Sequence, residues 1–268
     1  MPFLTINDIS LHYRHVLPEA EAKKTPILLL AGMASDSASW QPVIGSLSKN
    51  HELVIPDNRC SGRTTPALVS TNREIMVSDT LSLLNSLNIE KFSILGHSMG
   101  GMLGWEIAAR VPGRVEHLIA AAALPSAIQA RVSLFESLSA LRLEHSEAEW
   151  FKLLYQFLFH PKFFDNTAGV NDAVAASMQY PYKQGAEAFA EQVKGLMSFL
   201  AMPDITAITC DITMITGSHD ILTTPSMMNQ YAADIPKTTT HVIEDAAHAL
   251  HWEQTEKFVE CVLSALER

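Results

Sequence analysis

Apolar residues in this chain follow two rhythms, short unbroken runs and stripes spaced three and four apart, and the two alternate. Residues 3–6 and 9–16 alternate in character around Asn7-Asp8 and predict an antiparallel hairpin. The run Ile27-Leu28-Leu29-Leu30-Ala31 predicts a strand buried on both faces and ending at Gly32, and residues 39–47 follow with helical spacing. Leu53-Val54-Ile55 predicts a strand. Residues 75–87 predict a helix with Leu81, Leu84 and Leu87 on one face. Phe92-Ser93-Ile94-Leu95 is the next strand, residues 99–110 form a helix striped by Met102, Leu103, Ile107 and Ala108, and residues 118–123 are strand again. Such alternation predicts an α/β fold, a mostly parallel eight-stranded sheet with helices on both faces and ligands at the carboxyl ends of the strands.

After Pro125 the rhythm breaks. Residues 127–200 carry four helical stretches (132–143, 147–159, 170–178 and 186–199) and no strand pattern, so they read as a helical cap inserted into the core. Strand and helix then resume, with strand at 212–216, helix at 225–233, strand at 241–243 and a final helix at 252–266. The predicted organisation is a core in two parts, residues 1–126 and 201–268, around a cap at 127–200. The cap is rich in Phe, Leu and Met, which suits an apolar ceiling over a site. Most of these side chains have a simpler role in burying one another.

Composition narrows the function. A chain of 268 residues with 47% hydrophobic and 18% charged residues suits one large α/β domain with an insertion. Its longest apolar run, residues 118–124, is far too short to span a bilayer. The formal charge of −10 argues against a nucleic-acid backbone or an anionic membrane as partner. The first residues show neither a basic region nor a long apolar stretch, so a cytoplasmic location is expected. Cys60, Cys210 and Cys261 are widely spaced and odd in number; they read as buried thiols rather than disulfides or zinc ligands.

The chemistry centres on Gly96-His97-Ser98-Met99-Gly100. A serine between two glycines, directly after an apolar strand and before a helix, has the form of a nucleophile elbow, a sharp turn that holds the hydroxyl clear of the sheet. A helix N-terminus there also favours a developing negative charge. A serine hydroxyl needs a base to take its proton and an acid to orient that base, and in this architecture both follow on strand-end loops in the order acid, histidine. Asp220 in Gly217-Ser218-His219-Asp220 and His248 after Glu244-Asp245-Ala246-Ala247 meet that order. His97 is expected to point away from the serine and His251 to start the last helix. Asp57 reads as a turn acid bonding backbone, and Asp245 as a loop acid. Backbone N–H groups of Met33, in the Ala31-Gly32-Met33 loop, and of Met99 are the candidate oxyanion donors. The chemistry needs neither cofactor nor metal.

These segments together resemble the α/β-hydrolase superfamily, in its capped esterase and lactonase branch. The matching pieces are Ala31-Gly32-Met33 with Trp40, Asp57-Asn58-Arg59-Cys60-Ser61-Gly62-Arg63-Thr64, Gly96 to Gly101, Gly217 to Asp220, and His248 with Trp252-Glu253-Gln254. The cap and the Asp57 to Thr64 segment are most similar to 3-oxoadipate enol-lactonase-like hydrolases. Three positions depart from many relatives: Ala31 stands where they have histidine, and Cys60 and Ala247 where they have glycine. The resemblance implies a serine hydrolase acting on a small, largely apolar ester, lactone or thioester. It leaves open a carbon–carbon bond hydrolase with the same triad, or a ligand-binding protein that keeps the fold. A charged substrate would need Arg59, Arg131, Arg142 or Lys183 to point inward.

Overall fold

The hairpin predicted around Asn7-Asp8 forms. Strand β1 (Phe3–Ile6) pairs antiparallel with β2 (Ile9–Val16), and Asn7 takes the turn at a φ of 52°, which asparagine tolerates. In the computed structural model, which describes residues 2–19 and 24–267, β3 (Lys24–Leu30) carries the first long apolar run. Ile27 and Leu29 face one side of the sheet, Leu28 and Leu30 the other, and all four are fully buried. That two-sided burial is why the run has no polar member.

Strands β4 (His51–Pro56), β5 (Phe92–His97), β6 (Val115–Ala121), β7 (Asp211–Gly217) and β8 (Thr238–Ile243) complete the sheet. Their order is β1-β2-β4-β3-β5-β6-β7-β8, antiparallel at the first two pairings and parallel from β4 to β8. Helices α2 (Arg73–Ser86), α3 (Met99–Arg110) and α8 (Pro225–Ala233) cover one face through Val77, Leu83, Leu103, Trp105 and Met228. Helices α1 (Gln41–Leu47) and α10 (Thr255–Leu266) cover the other through Val43, Leu47, Phe258 and Val262. Helices α4 (Gln129–Glu144), α5 (Glu147–Leu158), α6 (Thr167–Gln179) and α7 (Ala186–Leu196) all fall between β6 and β7. They enclose a separate apolar cluster of Leu138, Trp150, Phe151, Leu154, Val174, Phe189 and Val193. Among the described residues no strand falls between 127 and 200, and no helix is long and apolar enough to cross a membrane.

Several boundaries differ from the pattern, each for a local reason. Residues 37–40 form a 3-10 turn ahead of α1, because Asp36 accepts the Ala38 N–H and Pro42 suits a helix start. Helix α2 begins at Arg73, two residues early, where Asn72 caps the Ile75 N–H. The strand expected over 118–123 runs from Val115 to Ala121 and stops as Ala122 turns to a φ of 50°. Strand β8 starts at Thr238, because three threonines supply β-branched residues that a hydrophobicity pattern does not register. The single helix expected over 252–266 is two pieces, α9 (Leu250–Glu253) and α10, broken at Gln254. Cys60 and Cys210 are buried as expected; Cys261 is only half-buried.

Candidate active site

At the carboxyl end of β5, Ser98 sits at φ 53°, ψ −122°, outside the regions an L-residue prefers. The chain pays for this turn with glycines: a Cβ on Gly96 would lie 2.6 Å from the Gly101 Cα, and one on Gly100 would collide with the backbone of Leu30. The Ser98 N–H donates to the Ala121 carbonyl at 2.9 Å, and its own carbonyl accepts from Gly101 and Met102 in the first turn of α3. Strand, elbow and helix therefore hold the side chain from both directions.

The structure brings Asp220 and His248 to this serine. His248 Nε2 lies 2.9 Å from Ser98 Oγ, and His248 Nδ1 lies 2.9 Å from Asp220 Oδ2. The other carboxylate oxygen, Oδ1, accepts the N–H groups of Leu222 and Thr223, both at 2.8 Å. Asp220 is thus an acceptor at both oxygens, so Nδ1 of His248 is the donor and Nε2 is left to accept from the serine. Both residues are buried, at 2% and 3% exposure. That excludes water from the Asp220–His248 bond and strengthens it.

Met33 and Met99, named for their backbone N–H groups, both line the cavity beside Ser98. The preceding Gly32 packs on the elbow: a Cβ there would lie 3.1 Å from the Ser98 Cβ, so the loop carrying Met33 lies against the serine. The cavity encloses about 60 Å³. Its walls are mainly apolar, with Met102 and Leu124 on the core side and Ile128, Phe135 and Leu196 on the side of α4 and α7.

Other residues weighed from the sequence find definite places. His97 Nε2 donates to the His248 carbonyl at 2.8 Å. Burial, reinforced by the neighbouring His248, pushes its pKa down to about 3. His251 is buried rather than merely starting a helix, with its ring 4.6 Å from that of His97 and 5.0 Å from Trp40. Burial, with His97 and His248 alongside, holds it well below the usual imidazole range. Asp57 accepts the backbone N–H groups of Ser37 and Arg63, as a turn acid should, and adds His12 Nδ1 at 2.8 Å. Asp245 is exposed and pairs with Lys162.

Of the four cations, only Arg131 lines the cavity, and its Nε and Nη2 donate to the carbonyls of Leu222 and Ile221 at 3.1 and 2.7 Å. Arg59 is buried in an ion pair with Asp79 and Asp8, Arg142 lies over the Trp150 ring at 3.9 Å, and Lys183 pairs with Glu147. Two features went unforeseen. The His97 bond to the His248 backbone needs a tertiary contact, and Glu253, given no role by the pattern, bonds Ala247 next to His248.

A family model described as the alpha/beta hydrolase fold matches residues 25–255. The chain belongs to that family. The RutD protein of Azorhizobium caulinodans, named as a candidate carbamate hydrolase, is 23% identical over 98% of this chain and 97% of its own length. The crystal structure of the enol-lactonase from Burkholderia xenovorans LB400 superimposes with a TM-score of 0.87 at 21% identity, covering all of both chains. A thermophilic esterase from Thermogutta terrifontis gives 0.79 at 22% identity over 97% of this chain and 93% of its own. The fold is thus shared with solved structures named for different activities.

Proposed function

We propose that this alpha/beta hydrolase is a serine hydrolase of small, largely apolar carboxylic esters, lactones or thioesters, acting through an acyl-enzyme. The observation that carries the reading is the hydrogen-bonded chain Ser98–His248–Asp220 ending in an apolar cavity. Ser98 Oγ attacks the acyl carbon while its proton passes to His248 Nε2. Asp220 holds the imidazole in the tautomer that can receive that proton and stabilises the imidazolium. The tetrahedral oxyanion takes hydrogen bonds from the Met33 and Met99 N–H groups, at the N-terminus of α3. His248 then hands the proton to the departing oxygen or sulfur. Water, deprotonated by the same imidazole, releases the acid and restores Ser98.

Residues 127–200 act as the cap, with Ile128, Phe135 and Leu196 forming the ceiling that excludes water from the acyl group. The names of the relatives, carbamate hydrolase, enol-lactonase and esterase, all describe attack on a carbonyl bearing a heteroatom, and this supports the reaction type. Treatment with a fluorophosphonate, followed by mass analysis, tests the reading. One phosphonyl group on Ser98, with turnover of short p-nitrophenyl esters in the untreated protein, is expected; no labelling would overturn it.

A further inference from the structure

The short stretch after α5 lies across both loops that carry the proposed acid and base. The Leu158 carbonyl accepts from the Ala249 N–H at 2.8 Å. The His160 ring packs edge-on against His219, centroids 4.1 Å apart, and Lys162 Nζ donates to Asp245 Oδ1 at 2.9 Å. Between these contacts sits one carboxylate. Glu253 Oε1 accepts the His160 N–H at 2.6 Å, and Glu253 Oε2 accepts the Ala247 N–H at 2.7 Å. The two amides come from the helical segment and from the residue immediately before His248. Hydrogen bonds to an ionised acceptor are about twice as strong as neutral ones, and each carboxylate oxygen here is matched to a separate donor.

The start of this loop has restraints of its own: the Ala246 carbonyl accepts from the His219 N–H at 2.9 Å, the Asp245 N–H donates to Ser218 Oγ at 3.2 Å, and the Asp245 carbonyl accepts from Gln254 at 3.2 Å. Asp245 starts it at a φ of 59°, and His248 is tied through its side chain to Ser98 and Asp220 and through its carbonyl to His97. Glu253 and Leu158 hold the peptide groups on either side of His248, at Ala247 and Ala249. A misplacement of about 1 Å in a base can cost on the order of a hundredfold in rate.

We infer that Glu253 is a positioning residue: its carboxylate clamps the backbone before His248 to the segment 158–162, so that the seating of the helical layer and the aim of the base are set together. This rests on the triad reading given above. Glu253→Gln is the direct probe, because the amide keeps one acceptor and turns an N–H group toward the other donor.

In E253Q, fluorophosphonate labelling and kcat should fall on the order of ten- to a hundredfold with KM unchanged, measured well below each variant's unfolding midpoint. The proton on His248 Nδ1, held against Asp220, should give a far-downfield NMR resonance that broadens or shifts in E253Q. A second pair removes the clamp from its other end. His160 has φ −58° and ψ 143°, already suited to proline, so H160P deletes the N–H donor while H160A keeps it. H160P should lose about tenfold more activity than H160A. Wild-type labelling and an unchanged resonance in E253Q, or equal behaviour of H160P and H160A, would overturn the clamp. A wild-type protein that is not labelled overturns the hydrolase reading alone, since the resonance still reports whether Glu253 aims His248.

Discussion

His97 Nε2 donates to the carbonyl oxygen of His248 at 2.8 Å, so the residue next to Ser98 in sequence holds the backbone of the proposed base. The bond needs a proton on Nε2, which in the neutral ring is the single N–H. Burial supplies that state, lowering the pKa to about 3, and His251 beside it is depressed in the same direction.

Stability should therefore fall on acidification. The unfolded chain protonates these imidazoles near pH 6.5, whereas native His97 resists until about pH 3. Between those limits the unfolded state binds more protons, so stability is full above pH 6.5 and declines below it by about 1.4 kcal/mol per pH unit for each such histidine. Urea midpoints from pH 7 to pH 5 would measure the slope. His97→Asn, which keeps a donor but does not titrate, should flatten it by one histidine's share.

Ser98, His248 and Asp220 are expected to behave as one unit. Ser98→Ala and His248→Ala should each abolish ester turnover, and the double variant should be no worse than either, because the residual rate comes from oxyanion binding alone. Asp220→Asn should lower kcat by about three to four orders of magnitude with little effect on folding. Additive losses in the double variant would show that the two residues act separately.

On the proposed reading, acyl length should be limited by the cavity. One water needs roughly 10–15 Å³ on the scale by which this cavity encloses about 60 Å³, so it holds on the order of four to six heavy atoms. Each methylene should raise kcat/KM about fourfold, from about 0.8 kcal/mol of burial, only as far as roughly butyryl, and longer chains should be rejected. A lactone bearing a free carboxylate should be disfavoured, because Nε and Nη2 of Arg131 already serve the Leu222 and Ile221 carbonyls. A series of neutral esters from acetyl to decanoyl beside such a lactone decides the matter.

Asp79→Asn should destabilise the protein by about 3–5 kcal/mol in urea unfolding at neutral pH. Arg59 is 2% exposed, and its guanidinium would lose its principal carboxylate while keeping only Asp8, which is exposed.

What was legible in the sequence is what local physics dictates. The unbroken run at Ile27 to Leu30 marks a doubly covered strand because each of its neighbours must be apolar, and the glycines around Ser98 mark a turn that no Cβ could enter. Order along the chain was enough to nominate Asp220 and His248. Only the tertiary structure decided how these residues meet, since the distances from His248 to Ser98 and to Asp220 depend on how β5, β6, β7 and β8 lie side by side. The fate of charge and of the remaining histidines was equally non-local. Arg59, a candidate substrate cation by sequence, was claimed by Asp79 and Asp8, and His97, His251 and Glu253 gained His248, His97 and His160 from segments far along the chain. Hydrophobic periodicity records which side of an element is buried, and it carries no information on which polar group from elsewhere will face it there.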